Sequence, residues 1–276
     1  MPTSHVTLRT ALTIAGSDSG AGAGIQADLK TFAAFGVYGT SAITAVTAQN
    51  TMGVTAVLAL PADLVEAQIE AVAGDIGIHA AKTGMLANAA IVEAVAAAVD
   101  SLEIPFLVVD PVMIAKSGDA LLEEEAIASL KAELLPRAFL VTPNRMEAEI
   151  LAGMPIESLD AARDAAERIL GLGPAAVVVK GGHLATGDVV IDVLHDGQTI
   201  TELRGPRIPG TSTHGTGCTF SAAVTAGLAL GRPLHEAVDR ATRYVANGIR
   251  HAVPIGHGHG PLNHFWNMTA SDELDR

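Results

Sequence analysis

The sequence predicts an α/β fold: a mostly parallel sheet covered by helices on both faces. Three observations carry this. Short strand-like runs alternate with helix-like periodicity along almost the whole chain. Runs such as Phe106-Leu107-Val108-Val109 are apolar throughout, as a strand buried on both faces must be. The chain is 49% apolar but only 3% aromatic, so its core must come from Ala, Val, Leu and Ile.

Residues 9–15 read as the first strand and run into a Gly-rich loop at 16–24. Ile25, Leu29 and Phe32 give helical spacing over 25–35, closed near Gly36. Residues 39–48 and 54–60 read as two buried strands, and 61–73 as a helix with Pro61 at its start. A brief strand at 80–83 precedes an Ala-rich helix at 88–100 with Asn88 as N-cap. Strands follow at 106–109, 139–141 and 175–179, and helices at 123–134, from 146 and at 160–172. Asp196-Gly197 between 189–195 and 199–203 signals a hairpin. A helix after Gly217 and another over 234–250 complete the order. Nothing divides the chain, so residues 1–276 read as one domain, with loose ends at 1–8 and 268–276.

The formal net charge is −13, which argues against a nucleic-acid or anionic-membrane partner. A single cysteine cannot form an internal disulfide, and no basic-then-apolar leader opens the chain; a cytoplasmic protein is the expectation. The uncharged run 32–62 is interrupted by Gly36, Gly39, Gln49, Asn50 and Gly53, so it offers no membrane span of about 20 residues. His251, His257, His259 and His264 are separated by glycines, which reads as loop rather than as a rigid metal site.

In a sheet of this kind ligands bind beyond the carboxyl ends of the strands. Asp18, Gln49, Lys82, Asp110, Asn144 and Lys180 all fall there. The stretch Thr211-Ser212-Thr213-His214-Gly215-Thr216-Gly217-Cys218 opens a helix, where unpaired N–H groups and the helix dipole attract anions. By itself it reads equally as a turn before a core helix. Gly22-Ala23-Gly24-Ile25-Gln26-Ala27 fits a dinucleotide fingerprint, but no acid follows about 20 residues on to hold a ribose. No P-loop sequence occurs. Together, the helix start, Asp110 and Glu147 for Mg²⁺ and its waters, Asn144, and Lys180 for phosphate oxygens suit phosphoryl transfer.

These residues sit in longer motifs: Ala15-Gly16-Ser17-Asp18, Gly24-Ile25-Gln26-Ala27-Asp28, Ala48-Gln49-Asn50-Thr51, Lys82-Thr83-Gly84-Met85-Leu86, Asp110-Pro111-Val112-Met113, Ala115-Lys116-Ser117-Gly118, Thr142-Pro143-Asn144, Lys180-Gly181-Gly182-His183 and Thr213-His214-Gly215-Thr216-Gly217-Cys218. On them the chain resembles the ribokinase-like kinases from about residue 12 to residue 266, and within these the hydroxymethylpyrimidine/phosphomethylpyrimidine kinases of thiamine biosynthesis.

The resemblance implies a three-layer α/β/α sandwich, a homodimer, and ATP with Mg²⁺ as cofactors. It implies phosphorylation of 4-amino-5-hydroxymethyl-2-methylpyrimidine, then of its monophosphate. It places Gly16, Asp28, Gln49, Met85 and Val112 at the pyrimidine, and Asn144, Lys180, Thr213, His214, Gly215 and Gly217 at the nucleotide. Cys218 becomes the catalytic base, with Gly215, Thr216, Gly217 and Lys180 beside it. A Gln amide offers the acceptor and donors that an exocyclic amine and a ring nitrogen require. Where the wider superfamily has Asp, this chain has Cys218, whose pKa a helix N-terminus should lower. A mobile flap around Lys116 is a further expectation. The alternatives are a pyridoxal or pyridoxine kinase on the same scaffold, an NAD-dependent oxidoreductase, and a vitamin-binding module without catalysis.

Overall fold

The computed structural model describes residues 8–113, 123–181 and 188–268. The expected flap around Lys116, the Gly182-His183 pair and most of both expected loose ends lie outside the described residues.

Nine strands form one sheet in the order β3-β2-β1-β4-β5-β6-β7-β8-β9. They are β1 (Thr10–Asp18), β2 (Tyr38–Asn50), β3 (Gly53–Ala59), β4 (Ala80–Thr83), β5 (Leu107–Val109), β6 (Leu140–Val141), β7 (Val177–Val179), β8 (Val189–His195) and β9 (Ile200–Pro206). From β2 to β7 all neighbours are parallel, with Thr10 opposite Tyr38, Ala11 opposite Ala80, Ala81 opposite Leu107, Val108 opposite Leu140, and Val141 opposite Val177. β3, β8 and β9 add antiparallel edges.

Strand side chains alternate between the two faces, and here both faces are dry. Leu12, Ile14, Ala81, Leu107, Val109 and Val141 pack beneath helices α2 (Ala62–Asp75), α3 (Ala89–Ser101), α4 (Glu124–Ser129), α5 (Arg145–Ala152) and α6 (Leu159–Leu170). Ala11, Ala80, Val108, Leu140 and Val178 face α1 (Gly24–Ala34), α7 (Thr216–Ala229) and α8 (Leu234–Arg250). This is the expected three-layer sandwich.

α7 is buried along almost its whole length, and its small residues permit this: a Cβ on Gly227 would come within 2.8 Å of Ala237 Cβ on α8. Asn88 caps α3 as expected, accepting from the N–H of Ile91 at 3.0 Å. The helix expected over 123–134 is α-helical only to Ser129; it widens over Leu130–Leu134 and tightens over Leu135–Arg137, where Pro136 ends it.

One expectation is corrected. The strand expected to be buried at 54–60 is an exposed edge: Val57 and Leu58 are 48% and 68% exposed. It hairpins onto the outside of β2, beyond the reach of the helices, so apolar composition there does not mean burial. No helix among the described residues is long and apolar enough to cross a membrane.

Candidate active site

The carboxyl ends of β1, β2, β4, β5 and β7 meet the N-terminus of α7. Gly215 is the N-cap of α7, in the left-handed region at φ +78°, and no side chain caps the helix there. A Cβ at Gly215 would lie 1.8 Å from the carbonyl oxygen of Gly22, so only glycine lets the two loops touch. A Cβ at Gly217 would lie 3.2 Å from Lys180 Nζ and 3.6 Å from Asp110 Oδ2. Lys180 and Asp110 therefore hang over the uncapped first turn, where backbone N–H groups and the dipole already favour an anion.

Lys180 Nζ donates to Asp110 Oδ1 at 3.2 Å. Ser221 Oγ on α7 donates to the other oxygen of Asp110 at 3.4 Å. Burial works against the Lys180 charge, but Asp110 and Glu147 outweigh it and raise its pKa. Asn144 and Glu147 form a capping box at the start of α5: Asn144 Oδ1 accepts from the Glu147 N–H at 3.0 Å and Glu147 Oε2 from the Asn144 N–H at 2.8 Å. Glu147 also accepts from the Met113 N–H; burial, with Asp110 nearby, pushes it up to about 7. Among the described residues no group of three or more His, Cys, Asp or Glu side chains could hold a metal ion.

Cys218 follows, and Gly24 N–H donates to its sulfur. Its pKa is not lowered as expected. Burial pushes it up to about 12; Lys82 opposes this, and the Asp28 and Asp110 carboxylates add to it. Desolvation and two nearby anions thus outweigh the helix terminus.

Asp28 sits in a buried ion pair. It has no exposed surface; its Oδ2 accepts from Lys82 Nζ at 2.9 Å and from Thr13 Oγ1 at 2.6 Å. Thr13 and Lys82 share the strand face that packs against α1 and α7. Lys82, also wholly buried, was legible only as a strand-end polar residue.

Asp18 organises the first Gly loop. Its carboxylate accepts from the N–H groups of Gly20, Gly22 and Ala23 at 2.8, 3.1 and 2.9 Å. Burial opposes its charge, but these bonds and that of His214 outweigh it and lower the pKa. The Gly22 and Ala23 amides are thus spent on the protein's own carboxylate, which is why this loop is not a dinucleotide cradle. The His214 side chain faces Asp18 at 2.9 Å and Gln49 at 3.4 Å.

Gln49 is exposed. Met85 is nearly buried, and its sulfur would touch a Cβ on Gly16 at 3.4 Å; its carbonyl accepts from Thr44. Val112 is partly buried, beside Asp110. Thr213 lies in the turn that leads to α7, its N–H donating to Thr211. A clasp not foreseen from sequence closes this side: His257, Gly258 and His259 N–H groups donate to Thr51, just after Gln49.

A family model described as phosphomethylpyrimidine kinase matches residues 18–263. A Bacillus subtilis protein named hydroxymethylpyrimidine/phosphomethylpyrimidine kinase is 50% identical over 255 residues, 92% of this chain and 94% of that one. A crystal structure of phosphomethylpyrimidine kinase from Clostridium difficile has a TM-score of 0.78 at 44% identity, covering 87% of this chain and 99% of that one. The pyridoxal kinase from Staphylococcus aureus in complex with AMP-PCP and pyridoxal has a TM-score of 0.85 at 38% identity, covering 93% of each chain.

Proposed function

The chain belongs to the phosphomethylpyrimidine kinase family, and from that premise we propose that it phosphorylates the hydroxymethyl group of 4-amino-5-hydroxymethyl-2-methylpyrimidine with ATP, and then the monophosphate to the diphosphate. The observation that carries this is the uncapped turn Gly215-Thr216-Gly217, with Lys180 against Gly217 and Cys218 next in the chain. Anion hole, cation and acceptor pocket meet at one point.

In this reading Gln49 meets the ring amine and ring nitrogen, while Met85, Val112 and the bare Gly16 backbone bound its flat faces. Asp28, in its buried pair with Lys82, supports the pyrimidine end of the site. Asn144, Thr213 and the α7 turn receive the nucleotide. The Gly215, Thr216 and Gly217 amides and Lys180 stabilise charge on the transferred phosphoryl group.

Cys218 marks where the hydroxyl sits. The transfer is loose, with little bond-making before charge spreads over the phosphoryl oxygens, so the hydroxyl proton leaves late, to an oxygen of the transferred phosphoryl group. A thiol protonated beforehand is compatible with that order; positioning and charge stabilisation carry the rate.

Two buried carboxylates, Asp110 and Glu147, share one ammonium, and Glu147 is already engaged by two N–H groups. That set fits one Mg²⁺ held through its water shell. Bound there, it would neutralise phosphate oxygens.

We further read the chain as one cytoplasmic kinase domain that acts as a homodimer, a reading the exposed apolar edge of β3 supports. A pyridoxal kinase is the second reading, favoured by the structural likeness to the staphylococcal enzyme. ATP consumption with each alcohol tests the choice: turnover of the pyrimidine supports the proposal, and turnover of pyridoxal alone overturns it.

A further inference from the structure

Asp18, His214, Gln49 and Thr47 form a chain of contacts whose protons can be counted. Asp18 Oδ2 lies 2.9 Å from His214 Nε2. A carboxylate only accepts, so the proton of this bond sits on Nε2, whether the imidazole is neutral or charged. That N–H has no lone pair to offer Gln49 Nε2, which the structure places 3.4 Å away. At the other side, Thr47 Oγ1 lies 2.9 Å from the Ser17 carbonyl oxygen and 3.1 Å from the opposite end of the same amide. The Ser17 carbonyl is the nearer acceptor, so Thr47 gives its single proton there and is left as an acceptor toward the amide. The amide turned over from that placement, with its oxygen sharing the His214 N–H with Asp18 and its NH₂ toward Thr47, satisfies both neighbours.

We propose that the Asp18–His214 pair, with Thr47 opposite, is a positioning relay that holds the Gln49 amide with its oxygen toward His214 and its NH₂ toward Thr47. The proposal rests on the reading of Gln49 as the residue that meets the ring. The remaining lone pair and the remaining N–H then face the pocket in a fixed order. They take a ligand donor on the His214 side and a ligand acceptor on the Thr47 side, which sets which way round an aminopyrimidine lies.

The relay is held on both flanks. A Cβ on Gly22 would come within 2.4 Å of His214 Cδ2, so the ring is wedged against that backbone. The His214 N–H donates to Gly260 at 3.0 Å, and Asp18 is fixed by three loop amides.

The first test uses the ligand-free, full-length protein labelled with ¹⁵N-histidine. Long-range ¹H–¹⁵N NMR assigns His214 as the signal lost in His214→Ala. A protonated Nε2 is expected; a bare Nε2 overturns the relay. The second test is kinetic. His214→Ala should raise KM for the pyrimidine alcohol about tenfold while KM for ATP stays within about twofold. His214→Gln, which can still donate to Asp18, should recover part of the loss. Thr47→Val should raise the pyrimidine KM with the His214 tautomer unchanged. An unaltered pyrimidine KM in both His214→Ala and Thr47→Val overturns the relay. If the wild type accepts no pyrimidine at all, the reading of Gln49 fails, and the tautomer still decides whether the relay exists.

Discussion

The Lys82 ammonium lies 2.9 Å from the Asp28 carboxylate, and neither side chain has any exposed surface. The pair ties β4 to α1, and its charge reaches Cys218 and Asp110. Removing one partner strands the other charge in a dry layer. Asp28→Ala should therefore cost about 3–5 kcal/mol in denaturant unfolding, and the double variant Asp28→Leu, Lys82→Met distinctly less. A single variant as stable as wild type would show that the pair is not a buried ion pair.

Cys218 is the only cysteine, so its alkylation can be followed on the whole protein. Its pKa, pushed up to about 12 chiefly by burial, makes it a thiol near neutrality. Iodoacetamide should react slowly at neutral pH, at a rate still climbing through pH 10 without a plateau. Cys218→Ser should lower kcat much more than it changes KM for ATP, since the residue marks the acceptor and not the nucleotide. A plateau near neutrality would restore the thiolate base.

Gly215→Ala places a Cβ against the Gly22 carbonyl, at a φ that L-residues rarely adopt. The Gly22 loop and the α7 turn must then separate. The expected result is a fall in kcat/KM of roughly 100-fold, the scale of losing one anion-hole donor. The Asp28–Lys82 layer lies outside this contact, so the far-ultraviolet circular dichroism should be retained.

His264 is buried against Thr219, 3.0 Å away; burial foremost, and the Lys30 charge after it, lower its pKa from 6.5 to about 4. Below pH 6.5 the unfolded chain binds a proton that the folded chain refuses. Stability should therefore fall as pH drops from 6.5 to about 4, by on the order of 3 kcal/mol from this residue. His264→Gln should flatten that stretch of the stability–pH curve in denaturant titrations; an unchanged slope would contradict the assignment.

Local patterns carried most of the fold. The strand at Ala80–Thr83, the Asn88 cap and the final helix Leu234–Arg250 each follow from a few neighbouring residues. Polar residues at strand ends pointed to the candidate site for the same reason. What was not legible depends on contacts distant in sequence. The Asp28–Lys82 pair spans 54 positions, and Gly22 meets Gly215 only when two loops fold together. Cys218 shows the limit most clearly. Its helix terminus is visible in sequence and argues for a thiolate; the burial and the two carboxylates that reverse this are tertiary.

The central claim is best tested by identifying the products formed from Mg-ATP and 4-amino-5-hydroxymethyl-2-methylpyrimidine by ³¹P NMR over time. A monophosphate signal is expected to rise first and then to be replaced by a diphosphate. No phosphorylated pyrimidine, in a sample that phosphorylates pyridoxal under the same conditions, would contradict it.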